Sequence, residues 1–148
     1  MPEKNPIVKL EKILKFYNQK LELIQIQHQQ QMFAVQQIKN AITHLEQERE
    51  RTQQQAEAGM SDLSNHEHSI EVLRLIQMRI NKKQIDHNNA EALRAEIKQN
   101  MLDQMSKSKS LEKLIERKTQ LLLHDRLRRE QGMADDQNLN RQLTRRAK

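Results

Sequence analysis

Apolar residues recur along the first third of the chain in alternating steps of four and three. From Leu10 the steps land on Leu14, Tyr17, Leu21, Ile24, His28, Gln31, Val35, Ile38, Ile42, Leu45, Arg49, Thr52 and Ala56, and ten of these fourteen positions are apolar. A 3.5-residue period keeps one face of a helix turned towards a partner helix, the arrangement of a coiled coil. No Gly or Pro interrupts the run, and the residues between are mostly Glu, Gln, Lys and Ala, which helices tolerate. The pattern predicts a first helix over about residues 7–58. At 1.5 Å per residue it spans about 75 Å, too long for a compact domain of this size and expected of a rod. Residues 1–6 read as a disordered lead, because Pro2 and Pro6 discourage helix before them.

The pattern breaks at Gly59-Met60-Ser61-Asp62. Gly59 sits where a helix C-terminus favours a left-handed residue. Ser61 and Ser64 are N-cap candidates, and Ser64 has Glu67 at capping-box spacing. One short turn at 59–62 between two long helices predicts an all-α fold, an antiparallel coiled-coil hairpin. A helix continuing through Gly59 into a parallel dimer is the alternative, and the coincidence of caps with Gly favours the hairpin. The second helix is expected over about 63–140, with 141–148 a frayed basic tail. Leu63, Ile70, Leu73, Ile76 and Ile80 form its first seam, and Ala90, Leu93 and Ile97 resume it in a shifted phase. Asp86-His87-Asn88-Asn89 between them reads as a stutter. If the turn centres near Met60, His28 and Gln31 face Asn88 and Asn89, either a register-setting polar layer or a loosely held section. Leu10 then falls near Ser110, and the second helix overhangs the first from about residue 111. Its stripe of Leu111, Leu114, Ile115, Leu122 and Leu127, flanked by Arg117, Lys118, Arg126, Arg128 and Arg129, is either a surface that docks a partner or a disordered liability.

Composition sharpens this picture. The 148 residues are 31% charged and 2% aromatic, with two Gly and two Pro, as expected of solvated helices and not of a globular core. Low hydropathy alone also fits disorder, but a disordered segment has no reason to keep a period. Formal net charge is +6, and residues 111–148 carry ten basic and six acidic groups, so most of the excess lies at the C-terminal end. That asymmetry implies an acidic partner there. The chain has no Cys, which removes disulfides and thiolate metal sites and fits a reducing compartment. No N-terminal apolar run resembles a signal peptide, and no stretch approaches the ~18 apolar residues of a membrane span.

Candidate chemistry is sparse. There is no Gly-rich phosphate loop and no nucleophile elbow, and paired helices offer no concave core in which to desolvate a carboxylate pair. No catalytic residue, cofactor site or small-molecule substrate is expected. His66 and His68 are two residues apart and point away from each other on a helix, whereas metal ligands need a spacing of three or four. Arg126, Arg128, Arg129, Arg141, Arg145, Arg146 and Lys148 suit phosphate contacts. A basic-zipper protein, however, places its basic region before the zipper, and no aromatics are interleaved here to stack bases. An acidic membrane surface is a further alternative, weakened by the lack of Trp and Phe near these arginines.

The run Ser110-Leu111-Glu112-Lys113-Leu114-Ile115-Glu116-Arg117-Lys118, with Arg128-Arg129-Glu130-Gln131 and Asp135-Asp136 after it, resembles the C-terminal signature of the FliJ family of bacterial flagellar export proteins. The Gly59-Met60-Ser61 turn between long helices is similar too. Gly132 stands where that family usually has lysine, and Asp136 where it has glutamate. The resemblance implies a stalk like that of rotary ATPases, whose paired termini enter the ring of the export ATPase. It also implies contact with the membrane export gate protein through another part of the coil, and binding of export chaperones. On that reading Leu111, Leu114, Ile115, Arg117, Lys118, Leu122, Arg126, Leu127, Arg128, Arg129 and Glu130 meet the ring. The protein is then cytoplasmic and peripheral to the inner membrane at the flagellar export apparatus. The stalk protein of virulence-type secretion systems shares this architecture.

Overall fold

A computed structural model describes residues 5–59 and 63–146, all of which are helical apart from the turn residue Gly59. Helix α1 is Asn5–Ala58 and α2 is Leu63–Arg146, and the two pack against each other. Helix α1 begins at Asn5, not at Ile7, because Pro6 falls in the first turn, where the missing N–H is not needed. At the other end the Gly59 amide donates to the Gln55 carbonyl at 3.0 Å, repeating the helical pattern. No glycine among the described residues has a positive φ, so the left-handed termination expected at Gly59 is not adopted. Met60, Ser61 and Asp62 of the expected turn lie outside the described residues, as does most of the expected lead. Ser64 is already inside α2, and so does not cap it.

The chain divides into two compact units, Leu21–Asp103 and Met1–Lys20 with Gln104–Lys148. In the first, every α1 seam position from Leu21 to Ala56 is buried or half-buried. Opposite them α2 offers His66, Ser69, Leu73, Ile76, Ile80, Lys83, His87, Ala90, Arg94, Ile97 and Met101, again stepping by three and four without a slip. There is therefore no stutter at Asp86–Asn89. Leu63, Ile70 and Leu93, read as seam residues from their apolarity, are 73%, 53% and 47% exposed. Lys83, His87 and Arg94 hold seam positions instead, which hides the period from a purely apolar reading. Lys and Arg keep this place by laying an alkyl stem along the interface while the charged head leaves it.

Among the described residues Ile24, Ile76 and Ile80 are the buried apolar ones, and polar bonds tie the helices around them. Arg49 donates to the Gln77 side-chain oxygen at 2.7 Å, and Gln31 donates to the Ala90 carbonyl at 2.9 Å. Gln31 thus has a partner, but not the expected one. Asn88 and Asn89 are exposed and form no layer with His28 or Gln31. The reason is the uninterrupted period, which puts His87 and Ala90 on the seam and turns the two asparagines outward. Arg94 binds Glu91 one turn back through Nε at 2.9 Å and through a second guanidinium nitrogen. Those hydrogen bonds hold the Glu91 carboxyl below its usual range, against the opposing effect of burial.

In the second unit Ile7, Leu10, Leu14 and Tyr17 of α1 are half-buried. The α2 seam runs through Gln104, Ser108, Leu111, Ile115, Lys118 and Leu122 in the same steps. Gln104 and Ser108 are 5% and 4% exposed, and the Gln104 Oε1 and Ser108 Oγ atoms meet no protein donor. Helix α2 passes through Gly132 and runs to Arg146, beyond the expected end near residue 140. A single exposed Gly costs a helix only about 1 kcal/mol relative to Ala.

His28 Nε2 is enclosed on the seam without a partner. His28→Leu removes that penalty and is expected to raise stability by about 1 kcal/mol, read as a higher Tm. Asn88→Leu, on the outer face, leaves Tm unchanged, and a gain from Asn88→Leu would contradict this register. Because the Glu91 pKa is depressed in the fold, its contribution is present above the ordinary carboxylate range and is lost as pH falls through the folded value. Glu91→Gln therefore lowers Tm at neutral pH, and thermal melts of the two proteins converge in acid.

Candidate functional site

Three histidines, His28, His66 and His87, sit on the seam, while His44, His68 and His124 are exposed. Among the described residues no group of three or more His, Cys, Asp and Glu is close enough to hold a metal ion. His66 is a half-buried seam residue with Nδ1 enclosed, while His68 is exposed. No helix among the described residues is long and apolar enough to cross a membrane.

The expected docking residues split into two groups. Leu111, Ile115, Lys118 and Leu122 are half-buried on the α2 seam, so they belong to the helix–helix contact. Leu114, Arg117, Arg126, Leu127, Arg128, Arg129 and Glu130 are exposed. The overhang expected from residue 111 thus begins at Leu123. Ile7 lies beside Leu122, whereas a turn centred on Met60 would put it near Lys113, and this difference in register, more than the extra seam position at Ile7, carries the pairing past residue 111. Ile7, Val8 and Glu11 line a common groove with Thr119, Leu122 and Leu123.

That groove encloses about 720 Å³ where α1 ends, and its apolar wall includes Ile7, Val8, Leu122, Leu123 and Met133. Glu11, Asp125, Arg126, Arg129 and Glu130 complete the lining. Every described residue from Leu123 to Arg146 is exposed, yet the segment remains helical. It displays Leu127 at 56%, Met133 at 68% and Leu143 at 56% exposure among arginines 126, 128, 141, 145 and 146.

The end of pairing has a sequence signal that apolar content alone misses. Continuing the steps beyond Leu122 gives Asp125, Arg129, Gly132 and Asp136, none of which packs well against a partner helix. The seam stops being a seam where α1 stops covering it. No family model, no curated protein and no solved structure matches this chain.

Truncation distinguishes the two groups. Removal of everything after Ser110 takes away Leu111, Ile115 and Leu122, each worth roughly 1 kcal/mol when half-buried, and exposes Ile7, Leu10 and Leu14. The melting transition is expected to fall by several degrees. Removal after Leu123 leaves Tm nearly unchanged, and a fall as large as that after Ser110 would show that the distal segment is held by the fold.

Proposed function

We propose that the chain is a non-enzymatic stalk of a type III protein export apparatus, an antiparallel two-helix hairpin whose distal end binds the export ATPase ring. The observation that carries this reading is the helical, exposed segment beyond Leu122, in which leucines and arginines stand together. A stalk must present apolar contacts to a ring and charges that orient it, and this segment has both. The C-terminal motif at Ser110–Lys118 and Arg128–Gln131 supports the flagellar version of the system. On the same resemblance, another part of the coil meets the membrane export gate, export chaperones are further partners, and the protein works at the cytoplasmic face of the inner membrane. The hairpin is supported by two contacts, since Arg49 meets Gln77 while the earlier Gln31 meets the later Ala90.

The exposed arginines favour one second reading, a coiled coil that binds nucleic acid or an acidic membrane surface through the same segment. Both readings predict salt-sensitive binding, and the partner separates them.

Full-length protein is expected to co-sediment with the flagellar export ATPase and to stimulate its hydrolysis or assembly. The protein truncated after Leu123 loses both effects, and Arg126→Glu with Arg128→Glu weakens binding more at low salt than at high salt. Undiminished stimulation by the truncated protein would overturn the assignment to this end. Tight binding to nucleic acid or anionic vesicles, with none to the ATPase, would favour the second reading. For the hairpin, spin labels on Glu46→Cys and Arg79→Cys are expected to stay close when labelled protein is diluted with unlabelled. Loss of the dipolar signal on dilution would show pairing between molecules.

A further inference from the structure

Helix α1 carries a second periodic stripe that its partner helix does not cover. Leu23, Ile26, Gln30, Phe33 and Gln37 step by three and four, each two residues after a seam position. Two residues are about 200° of helix rotation, so the stripe lies on the far side of α1 from α2. All five are exposed, Leu23 at 65%, Ile26 at 50% and Phe33 at 67%. A run of this spacing is what a further helix reads.

The charge pattern selects the occupant. From Leu23 to Ile38 there are sixteen residues without Asp, Glu, Lys or Arg, in a chain that is 31% charged. An acidic or basic partner finds no counter-charge here, and an anionic lipid surface finds no lysine or arginine to hold it. Glutamines supply most of the polar groups around the stripe. A Gln amide both donates and accepts, so an amide-bearing face is complementary to a copy of itself, whereas a charged face repels its copy. The outer apolar residues of α2 differ in this respect. Leu75, Met78 and Ile85 are exposed but lie beside Arg79 and Lys82, so their copies carry like charge.

We infer that the Leu23–Gln37 stripe of α1 is a self-association surface that binds the same stripe of a second copy of this chain. The contact is two-fold and isologous, with Phe33 of each copy against the apolar side chains of the other, and it buries no charge. Three apolar side chains per copy make a small interface, so the dimer is weak and forms at about 100 µM and above. This surface is independent of the partner taken by the distal end of α2.

Sedimentation velocity of the full-length chain at concentrations from about 5 to 500 µM tests the inference. The weight-average mass is expected to rise from 17.7 kDa towards twice that value. Phe33→Glu holds the protein at the monomer mass, with helix content and Tm unchanged because Phe33 is exposed. Mixing Phe33→Glu with Phe33→Lys restores association, which a contact between unlike faces would not do. Met78→Glu, on α2, leaves association as in the wild type. A monomer at every concentration overturns the inference, as does association that survives Phe33→Glu or is lost in Met78→Glu. Binding of uncharged phosphatidylcholine vesicles that depends on Phe33, without self-association, identifies a lipid occupant and also overturns it.

Discussion

Burial of one face of α1 against one face of α2 is the constraint on which everything else rests. Neither helix contains enough apolar residues to be buried on all sides, and isolated helices of this polarity gain little from propensity alone. Among the described residues only Ile24, Ile76 and Ile80 are apolar and buried. The remaining stabilisation is spread over a long series of half-buried side chains, each contributing a fraction of what a core residue would. Such an interface depends on phase more than on any one contact. A shift of one residue towards the C-terminus of α1 would replace Leu21, Ile24, Ile38, Ile42 and Leu45 with Glu22, Gln25, Lys39, Thr43 and Glu46.

That dependence explains why the two helices were unequally legible. In α1 ten of fourteen seam positions are apolar, and all fourteen lie where the spacing put them. In α2 the seam admits Lys83, His87, Arg94, Gln104, Ser108 and Lys118, while Ile70 and Leu93 point outward. Apolarity and position part company there, and a reading that follows apolarity sees a phase shift where none exists. The residues are tolerated for individual reasons, such as the Glu91 carboxylate beside Arg94 and the alkyl stems of the lysines. Gly59 differs from expectation for another reason: its identity suits a left-handed residue, but its backbone prolongs the helical hydrogen-bond pattern.

The exposed surfaces divide along a chemical line. Beyond Leu122, α2 mixes leucine with arginine and suits a partner that offers both apolar surface and negative charge. On the outer side of α1 the stripe is neutral and amide-bearing. The arginine excess was visible in the sequence as an asymmetry of charge, although the point where exposure begins was not. That point is fixed by which α2 residues lie beside the first turns of α1, and a count from a turn centred on Met60 puts Ile7 near Lys113 and not beside Leu122.

The order in which pairings become available follows from their separation along the chain. Arg49 and Gln77 are 28 residues apart, Gln31 and Ala90 are 59 apart, and Ile7 precedes its groove neighbour Leu122 by about 115. Loop-closure entropy makes the nearest pairings the cheapest to form first, with the others added outward from them. During synthesis at about 5–20 residues per second, the first apolar turns of α1 therefore wait on the order of ten seconds before their covering residues exist. For that interval Leu10, Leu14 and Tyr17 are open to whatever else binds amphipathic helices, and a ribosome-associated chaperone has a longer opportunity at these turns than at those nearer Gly59.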